Sequence, residues 1–327
     1  MSGIVVVTGA SAGIGRATAV AFARRGWRVA LLARGLAGLE GAKREVERAG
    51  GQAMVVPVDV ADRDAVEAAA ERIESEWGPI DVWVNNAMAT VFAPVMEISP
   101  DDFRRATEVT YLGSVWGTLA ALRRMLPRNR GTIVQVGSAL AYRSIPLQAA
   151  YCGAKSAIRG FIDSVRCELI HEHSKVRVTM VQLAAFNTPQ FDWGRTTMAF
   201  EPKPLGKIFQ PEVAAESIYR AARRPRREVW VGWPALQARL GQIFVPGYLD
   251  RRLAFEAWEG QQSDEPLPPE HADNLYRPVR EDRGTHGRFD AVALRHSAQA
   301  WLDRHRVAVA VGLLPLVAAG LLMRRRG

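Results

Sequence analysis

The chain has 327 residues, of which 48% are hydrophobic and 24% charged, which is typical of a globular protein and excludes an intrinsically disordered one. Its formal net charge of +9 comes mainly from arginines spread along the sequence, and no nucleic-acid recognition motif accompanies them, so we expect no nucleic-acid partner. The two cysteines exclude a disulfide framework, and the sequence opens without a secretory leader, which predicts core thiols in a cytoplasmic protein.

Short apolar runs alternate with helical patterns over the first 190 residues, which predicts βαβ units around a parallel sheet. The runs are rich in β-branched residues, as a sheet covered on both faces requires. The predicted strands are 4–9, 28–34, 53–60, 80–87, 131–138, 177–184 and 228–233, and helices are predicted between them, for example at 16–25 and 62–77. The sequence therefore predicts the α/β class, with a doubly wound parallel sheet of about seven strands.

A glycine-rich segment, TGASAGIG at 8–15, follows the first predicted strand and opens a helix. Gly9 permits a tight turn, Gly13 lets the backbone approach a pyrophosphate, and Gly15 allows the helix to pack closely on the strand. A strand, this turn and a helix in succession indicate a dinucleotide site.

Tyr151 and Lys155 lie in a segment whose apolar residues, among them Ile158, Ile162 and Val165, recur at helical spacing. Four positions apart on a helix, the phenol and the ammonium share a face. A neighbouring ammonium stabilises a phenolate and lowers the pKa of the phenol from about 10, which favours acid–base work. The alternative is a core tyrosine with a lysine that extends to water.

Together with NNA at 85–87 and Ser138, the glycine segment and the Tyr-x-x-x-Lys pair resemble the classical short-chain dehydrogenase/reductase family, in its order and spacing, over about 3–233. The resemblance implies a Rossmann fold and hydride transfer between a nicotinamide cofactor and a carbonyl or secondary alcohol. It implies that Ser138 hydrogen-bonds the substrate oxygen, Tyr151 moves the proton, and Lys155 also binds the nicotinamide ribose.

The same resemblance implies the cofactor-binding residues, which are Thr8, Gly9, Ser11, Gly13, Ile14, Gly15, Asp59, Val60, Asn86, Ala87, Tyr151, Lys155 and Thr188. Arg34 joins them, because it ends the second strand where an acid would bind the ribose 2′-hydroxyl and an arginine accommodates a 2′-phosphate. This predicts NADP rather than NAD, the alternative being a surface arginine. No metal is expected.

Three positions depart from the family pattern. Thr110 stands where the family often has an asparagine whose backbone holds a proton-relay water, and we expect the Thr110 carbonyl to serve instead. Met88 replaces the glycine of the usual NNAG, and Leu183 and Ala184 replace a Pro-Gly pair. We expect these last changes to reshape the nicotinamide pocket.

The substrate segment is expected at about 186–209, where five large apolar residues predict a lid over an apolar pocket: Phe191, Trp193, Met198, Phe200 and Phe209. This predicts a lipophilic substrate, and the alternative is ordinary aromatic packing of a loop. A second function class stays open, a nucleotide-binding redox sensor or scaffold without turnover. The intact Ser138, Tyr151 and Lys155 favour the enzyme.

Residues 307–323 are 17 uncharged positions between arginines, and as a helix they reach roughly 25 Å, the short limit of a membrane span. We expect a hydrophobic C-terminal helix that attaches to a membrane, or one that packs on the domain or another subunit. The predicted organisation is a catalytic domain at 1–233, an extension wrapped on it or partly irregular at 234–305, and this helix at 306–327. The family resemblance also implies a homo-oligomer.

Overall fold

A computed structural model describes residues 3–305. Its central sheet has seven parallel strands, which confirms the predicted Rossmann architecture, in the order β7-β6-β5-β4-β1-β2-β3. The strands are β1 (Ile4–Thr8), β2 (Arg28–Ala33), β3 (Gln52–Pro57), β4 (Val82–Asn85), β5 (Thr132–Val136), β6 (Arg177–Leu183) and β7 (Glu228–Val231). The order reverses between β1 and β4, and ligands of such sheets bind in the crevice at the carboxyl ends of the strands at that point.

Helices cover both faces of the sheet. They are α1 (Gly13–Ala23), α2 (Leu36–Arg48), α3 (Arg63–Trp77), α4 (Pro100–Thr107), α5 (Gly113–Met125), α6 (Ala149–His171), α7 (Pro211–Arg223), α8 (Trp233–Phe244) and α9 (Pro246–Gly260). One core contains residues of α1, α2 and α7, and the other residues of α3, α5 and α6. Alternate residues of β1 enter the two cores, Val5 and Val7 on one side and Ile4 and Val6 on the other. The apolar strands are thus buried on both faces.

Shorter elements shape the loops at the carboxyl edge of the sheet. Single helical turns occupy Val95–Glu97, Ala139–Ala141 and Gln190–Trp193, and a π-helical turn, Glu108–Leu112, joins α4 to α5. Three two-stranded pairs add to them: Val91–Phe92 with Arg195–Thr196, Ala185–Phe186 with Ile208–Phe209, and Phe200–Pro202 with Gln262–Pro266. The first pair joins the segment after β6 to the loop after β4, the second closes that segment on itself, and the third joins it to the chain after α9.

The chain after β7 is more regular at its start than its pattern predicts, because α8 and α9 form there. Several apolar side chains of these helices are exposed, Phe244 by 76% and Phe255 by 72%, so their apolar residues do not all face the protein interior. Between 267 and 297 the chain runs back along the carboxyl edge of the sheet without long elements, and a helix occupies 298–305. The division into domains remains a prediction.

The predicted hydrophobic helix at 306–327 lies outside the described residues. Within 3–305, no helix combines the length and apolar character needed to cross a bilayer. Both cysteines are free on α6, but only Cys152 is buried, so the expectation of two core thiols is wrong for the exposed Cys167.

Candidate active site

The glycine turn after β1 has the geometry that its sequence predicts. Gly9 has φ +65°, a conformation that a side chain disfavours. A Cβ on Gly15 would lie 2.1 Å from the Gly9 carbonyl oxygen, so no larger residue fits without moving the backbone. The turn leads into α1 at Gly13, and the N–H groups and positive dipole end of a helix start suit a phosphate.

Thr8 and Asn86 join the carboxyl ends of β1 and β4 at the switch point. The Thr8 hydroxyl accepts from the backbone N–H of Asn86 at 2.9 Å and of Ala87 at 3.0 Å. The Asn86 amide donates back to the Thr8 carbonyl at 3.0 Å. These bonds hold open the crevice in which a dinucleotide is expected.

Ser138, Tyr151 and Lys155 meet at one cavity of about 810 Å³. Ser138 follows β5, and the other two lie one turn apart near the start of α6. The Lys155 ammonium is buried, donates to the Val136 carbonyl at 2.7 Å and lies 5.5 Å from the centre of the Tyr151 ring. The structure therefore brings the three predicted catalytic side chains together.

The electrostatics of this group differ from the sequence expectation. Burial raises the pKa of the Tyr151 phenol above its usual value, and the polar contact with Ser138 opposes the rise only in part. Burial lowers the pKa of Lys155 to about 8. The expected lowering of the pKa of Tyr151 by Lys155 is therefore absent, because desolvation of the phenol dominates and the ammonium is directed to the Val136 carbonyl.

Thr110 lies outside the walls of this cavity. Its hydroxyl accepts from the Ala89 N–H and donates to the Ala89 carbonyl, both at 2.9 Å. The Thr110 carbonyl accepts from the Ser114 hydroxyl at 2.9 Å. Thr110 lies in the π-helical turn and from there supports the loop after β4. Such turns are frequent at functional sites. The relay role of Thr110 stays a prediction.

The remaining predicted cofactor residues divide between two connected spaces. Gly13, Ile14, Asn86 and Thr188 line the large cavity. Arg34, Asp59 and Val60 line a smaller space of about 110 Å³, and Gly9, Ser11 and Ala87 line both. We call the smaller space the adenosine end, because the family resemblance implies that the adenosine half of a dinucleotide lies there. Thr8 and Gly15 act through the bonding and packing described above.

Part of the extension that the sequence predicts to wrap on the domain or to be partly irregular lines the adenosine end. We call residues 273–290 the strap. Its Asn274, Glu281 and Arg283 line the smaller space. The Arg34 guanidinium donates to the backbone carbonyls of Leu275 at 3.1 Å and Tyr276 at 3.0 Å, and also to that of Asn274. Arg34 therefore lies where the sequence predicts, with its donors taken by the strap.

The part of the large cavity where the substrate is expected is lined mainly by apolar side chains. Of the five predicted lid residues, Phe191 and Trp193 line it, whereas Met198, Phe200 and Phe209 do not. The opposite wall comes from α8 and α9, which the sequence missed; its apolar members include Ala238, Val245, Leu249 and Leu253. The i, i+4 spacing of Leu249 and Leu253 was the available signal. Met88, Leu183 and Ala184, the departures from the family pattern, also line this cavity.

Comparisons with known proteins identify the family. The family model for short chain dehydrogenases matches residues 3–197. The uncharacterized oxidoreductase YxnA of Bacillus subtilis is 33% identical over 287 residues, 86% of this chain and 80% of its own. The structure resembles an alcohol dehydrogenase from the archaeon Thermococcus sibiricus complexed with 5-hydroxy-NADP, with a TM-score of 0.60, 27% identity and coverage of 71% of this chain and 96% of that one.

A metagenomic short-chain oxidoreductase in complex with NADP is similar to the same degree, with a TM-score of 0.60, 29% identity and coverage of 71% and 97% of the two chains. The glycine turn, the start of α1 and the large cavity fit a nicotinamide cofactor, whereas the strap narrows the adenosine end. The family model matches more than half of the chain, which therefore belongs to the short-chain dehydrogenase family and is an oxidoreductase of that type.

Proposed function

We propose that the protein is an NADP(H)-dependent oxidoreductase that interconverts a lipophilic carbonyl and the corresponding secondary alcohol, with Tyr151 as proton donor or acceptor. The observation that carries the proposal is the convergence of Ser138, Tyr151 and Lys155 on one cavity beside the glycine turn. A core tyrosine with a lysine extending to water would not account for it, since Lys155 is 3% exposed.

In this mechanism the bound nicotinamide supplies or accepts the hydride. The Ser138 hydroxyl holds the substrate oxygen near the Tyr151 phenol, whose proton passes to that oxygen as the carbonyl is reduced. The raised pKa of Tyr151 keeps the phenol protonated at neutral pH, which suits reduction. With a pKa of about 8, Lys155 is mostly an ammonium at pH 7 and is available to a ribose hydroxyl.

The preference for NADP rests on Arg34 and on the lack of an acid at the end of β2. The two similar structures complexed with NADP-type cofactors support it. For Arg34 to bind a 2′-phosphate, its N–H groups must leave the carbonyls of the strap. The lipophilic substrate is supported by the apolar side chains of α8, α9 and the Phe191–Trp193 turn around the cavity.

The test is NADPH consumption against a panel of carbonyls, for the full chain and for Tyr151→Phe. We expect turnover of apolar ketones or aldehydes and a loss of about 100-fold or more in the variant, the usual range for a general acid. Equal rates would remove Tyr151 from the mechanism, and turnover of small polar carbonyls alone would exclude the lipophilic substrate. Binding of NADPH without turnover of any carbonyl would favour the sensor or scaffold instead.

Membrane attachment through 307–323 and assembly into a homo-oligomer remain predictions. Fractionation of the full-length chain beside one ending at Arg306 tests the first. Sedimentation of the full-length chain tests the second.

A further inference from the structure

The strap contacts the two parts of the cofactor site that would hold phosphate groups. Its carbonyls at 274–276 take the N–H groups of Arg34, the group proposed for the 2′-phosphate. The Gly284 carbonyl accepts the backbone N–H of Gly13 at 3.2 Å, at the start of α1. Oxygen atoms of the strap thus accept hydrogen bonds from the donors at both expected phosphate positions.

An acid of the strap reinforces the second contact. The Asp282 carboxylate pairs with Arg16 on α1, and it accepts the N–H of Gly284 at 3.1 Å. Arg16 is 4% exposed and also pairs with Glu45 of α2 at 2.8 Å. Because helix starts attract anions, a carboxylate and a carbonyl oxygen held here resemble the phosphate that such a turn binds.

Ion pairs at both ends hold the strap to the body of the protein. Arg288 pairs with Asp192 at 2.7 Å and with Glu201 at 3.0 Å. At the other end, Asp273 pairs with Arg195 at 2.9 Å. The strap is therefore fixed by side chains outside the cleft, while its middle fills the cleft.

The strap narrows the adenosine end. The space left there is about 110 Å³, and Asn274, Pro278, Val279, Glu281 and Arg283 of the strap form part of its wall. The strap in this position therefore takes up part of the volume in which the adenosine of a dinucleotide is expected.

We propose that the strap competes with NADP for the cofactor site. It occupies the phosphate and adenosine positions, and the cofactor binds only after the strap withdraws. This inference rests on the proposed function, because it concerns the same cofactor site. The cofactor phosphates take over the donors of Arg34 and Gly13 that the strap gives up. The anchors outside the cleft then set how tightly and how quickly NADP binds.

A reversible crosslink between the strap and the body tests the proposal. A Cβ at Gly35 would lie 3.3 Å from the Cβ of Pro278, close to the roughly 3.5–4.5 Å of a disulfide. Gly35 has φ −83°, which cysteine adopts readily. The variant is Gly35→Cys with Pro278→Cys, in a Cys167→Ser background that removes the exposed native thiol.

We expect the oxidised protein to bind NADP at least about tenfold more weakly than the reduced protein, by calorimetry, because the closed strap reduces the fraction able to bind. The reduced sample of the same variant is its control. Equal affinity of the two forms would overturn the competitor and leave the proposed function intact. Absence of NADP binding by the wild-type chain would overturn both.

Removing an ion pair that anchors the strap should strengthen NADP binding. Arg288→Gln removes the pairs with Asp192 and Glu201, and we expect the Kd for NADP to fall about three- to tenfold with faster association, since more of the protein is open. The matched control is Arg72→Gln, which breaks a 2.7 Å ion pair on α3 away from the cleft. An unchanged or weaker affinity in Arg288→Gln would show that the strap does not compete.

Discussion

The two ends of the cofactor cleft are built in different ways. The nicotinamide end uses side chains that short motifs place directly, such as Ser138 after β5 and the Tyr151–Lys155 pair on one turn of α6. The adenosine end is completed by the strap, which meets Arg34 across 241 positions of sequence. Motifs therefore define where the chemistry takes place, while a distant part of the chain controls access to the other end.

The largest expected effect is at the nicotinamide end. Ser138→Ala removes the hydroxyl proposed to hold the substrate oxygen, and we expect kcat to fall about 100- to 1,000-fold, as for loss of one donor to a developing oxyanion. Ser164→Ala, at an exposed hydroxyl on α6, is the control. A fall in both variants, or in neither, would contradict the role of Ser138.

A substitution of Lys155 tests whether burial lowers the pKa of its ammonium at the nicotinamide end. Its pKa of about 8 in the folded protein lies below the roughly 10.4 of an unfolded lysine, so protonation opposes folding by about 3 kcal/mol below pH 8. This cost declines as the pH rises from 8 to about 10.5, since the unfolded state then binds more protons. We expect Lys155→Met to be more stable than wild type at pH 7, with the difference shrinking towards pH 10.5 in urea unfolding. A difference independent of pH would contradict the lowered pKa.

Arg34 donates to carbonyls of the strap and is also the residue proposed to bind the 2′-phosphate. Arg34→Ala is expected to weaken NADP binding about 10- to 100-fold, the worth of hydrogen bonds to a charged group. NAD binding should stay equal or improve, because the strap also loses a contact. Arg48→Ala, an exposed arginine at the end of α2, is the control. An equal loss for both cofactors would refute the phosphate role.

The smallest effect is expected at the substrate wall. Leu249→Ala removes an apolar side chain of α9 from the cavity, and we expect kcat/KM for an apolar carbonyl to fall about tenfold. The Kd for NADP should not change, since Leu249 lies at the end away from the strap. Equal losses for apolar and small polar substrates would argue against this wall as a specificity element.

The sequence predicted the sheet, the glycine turn and the convergence of Ser138, Tyr151 and Lys155, because each depends on local periodicity or on a short motif. It predicted an extension at 234–305 that wraps on the domain or is partly irregular, but not the contact of the strap with Arg34, since the groups that contact Arg34 are backbone carbonyls, which leave no mark on residue type. The raised pKa of Tyr151 was also missed, because burial depends on how the whole fold closes around the phenol. The wall formed by α8 and α9 was missed because many of their apolar residues face solvent.

The contact of Arg34 with main-chain oxygens has a consequence for how this region tolerates change. Any amino acid at 274–276 offers the same carbonyl, so substitutions there preserve the interaction as long as the path of the backbone is kept. Inserting or deleting one residue would displace all three oxygens at once. The length of this stretch, more than its composition, is what selection on cofactor affinity would preserve.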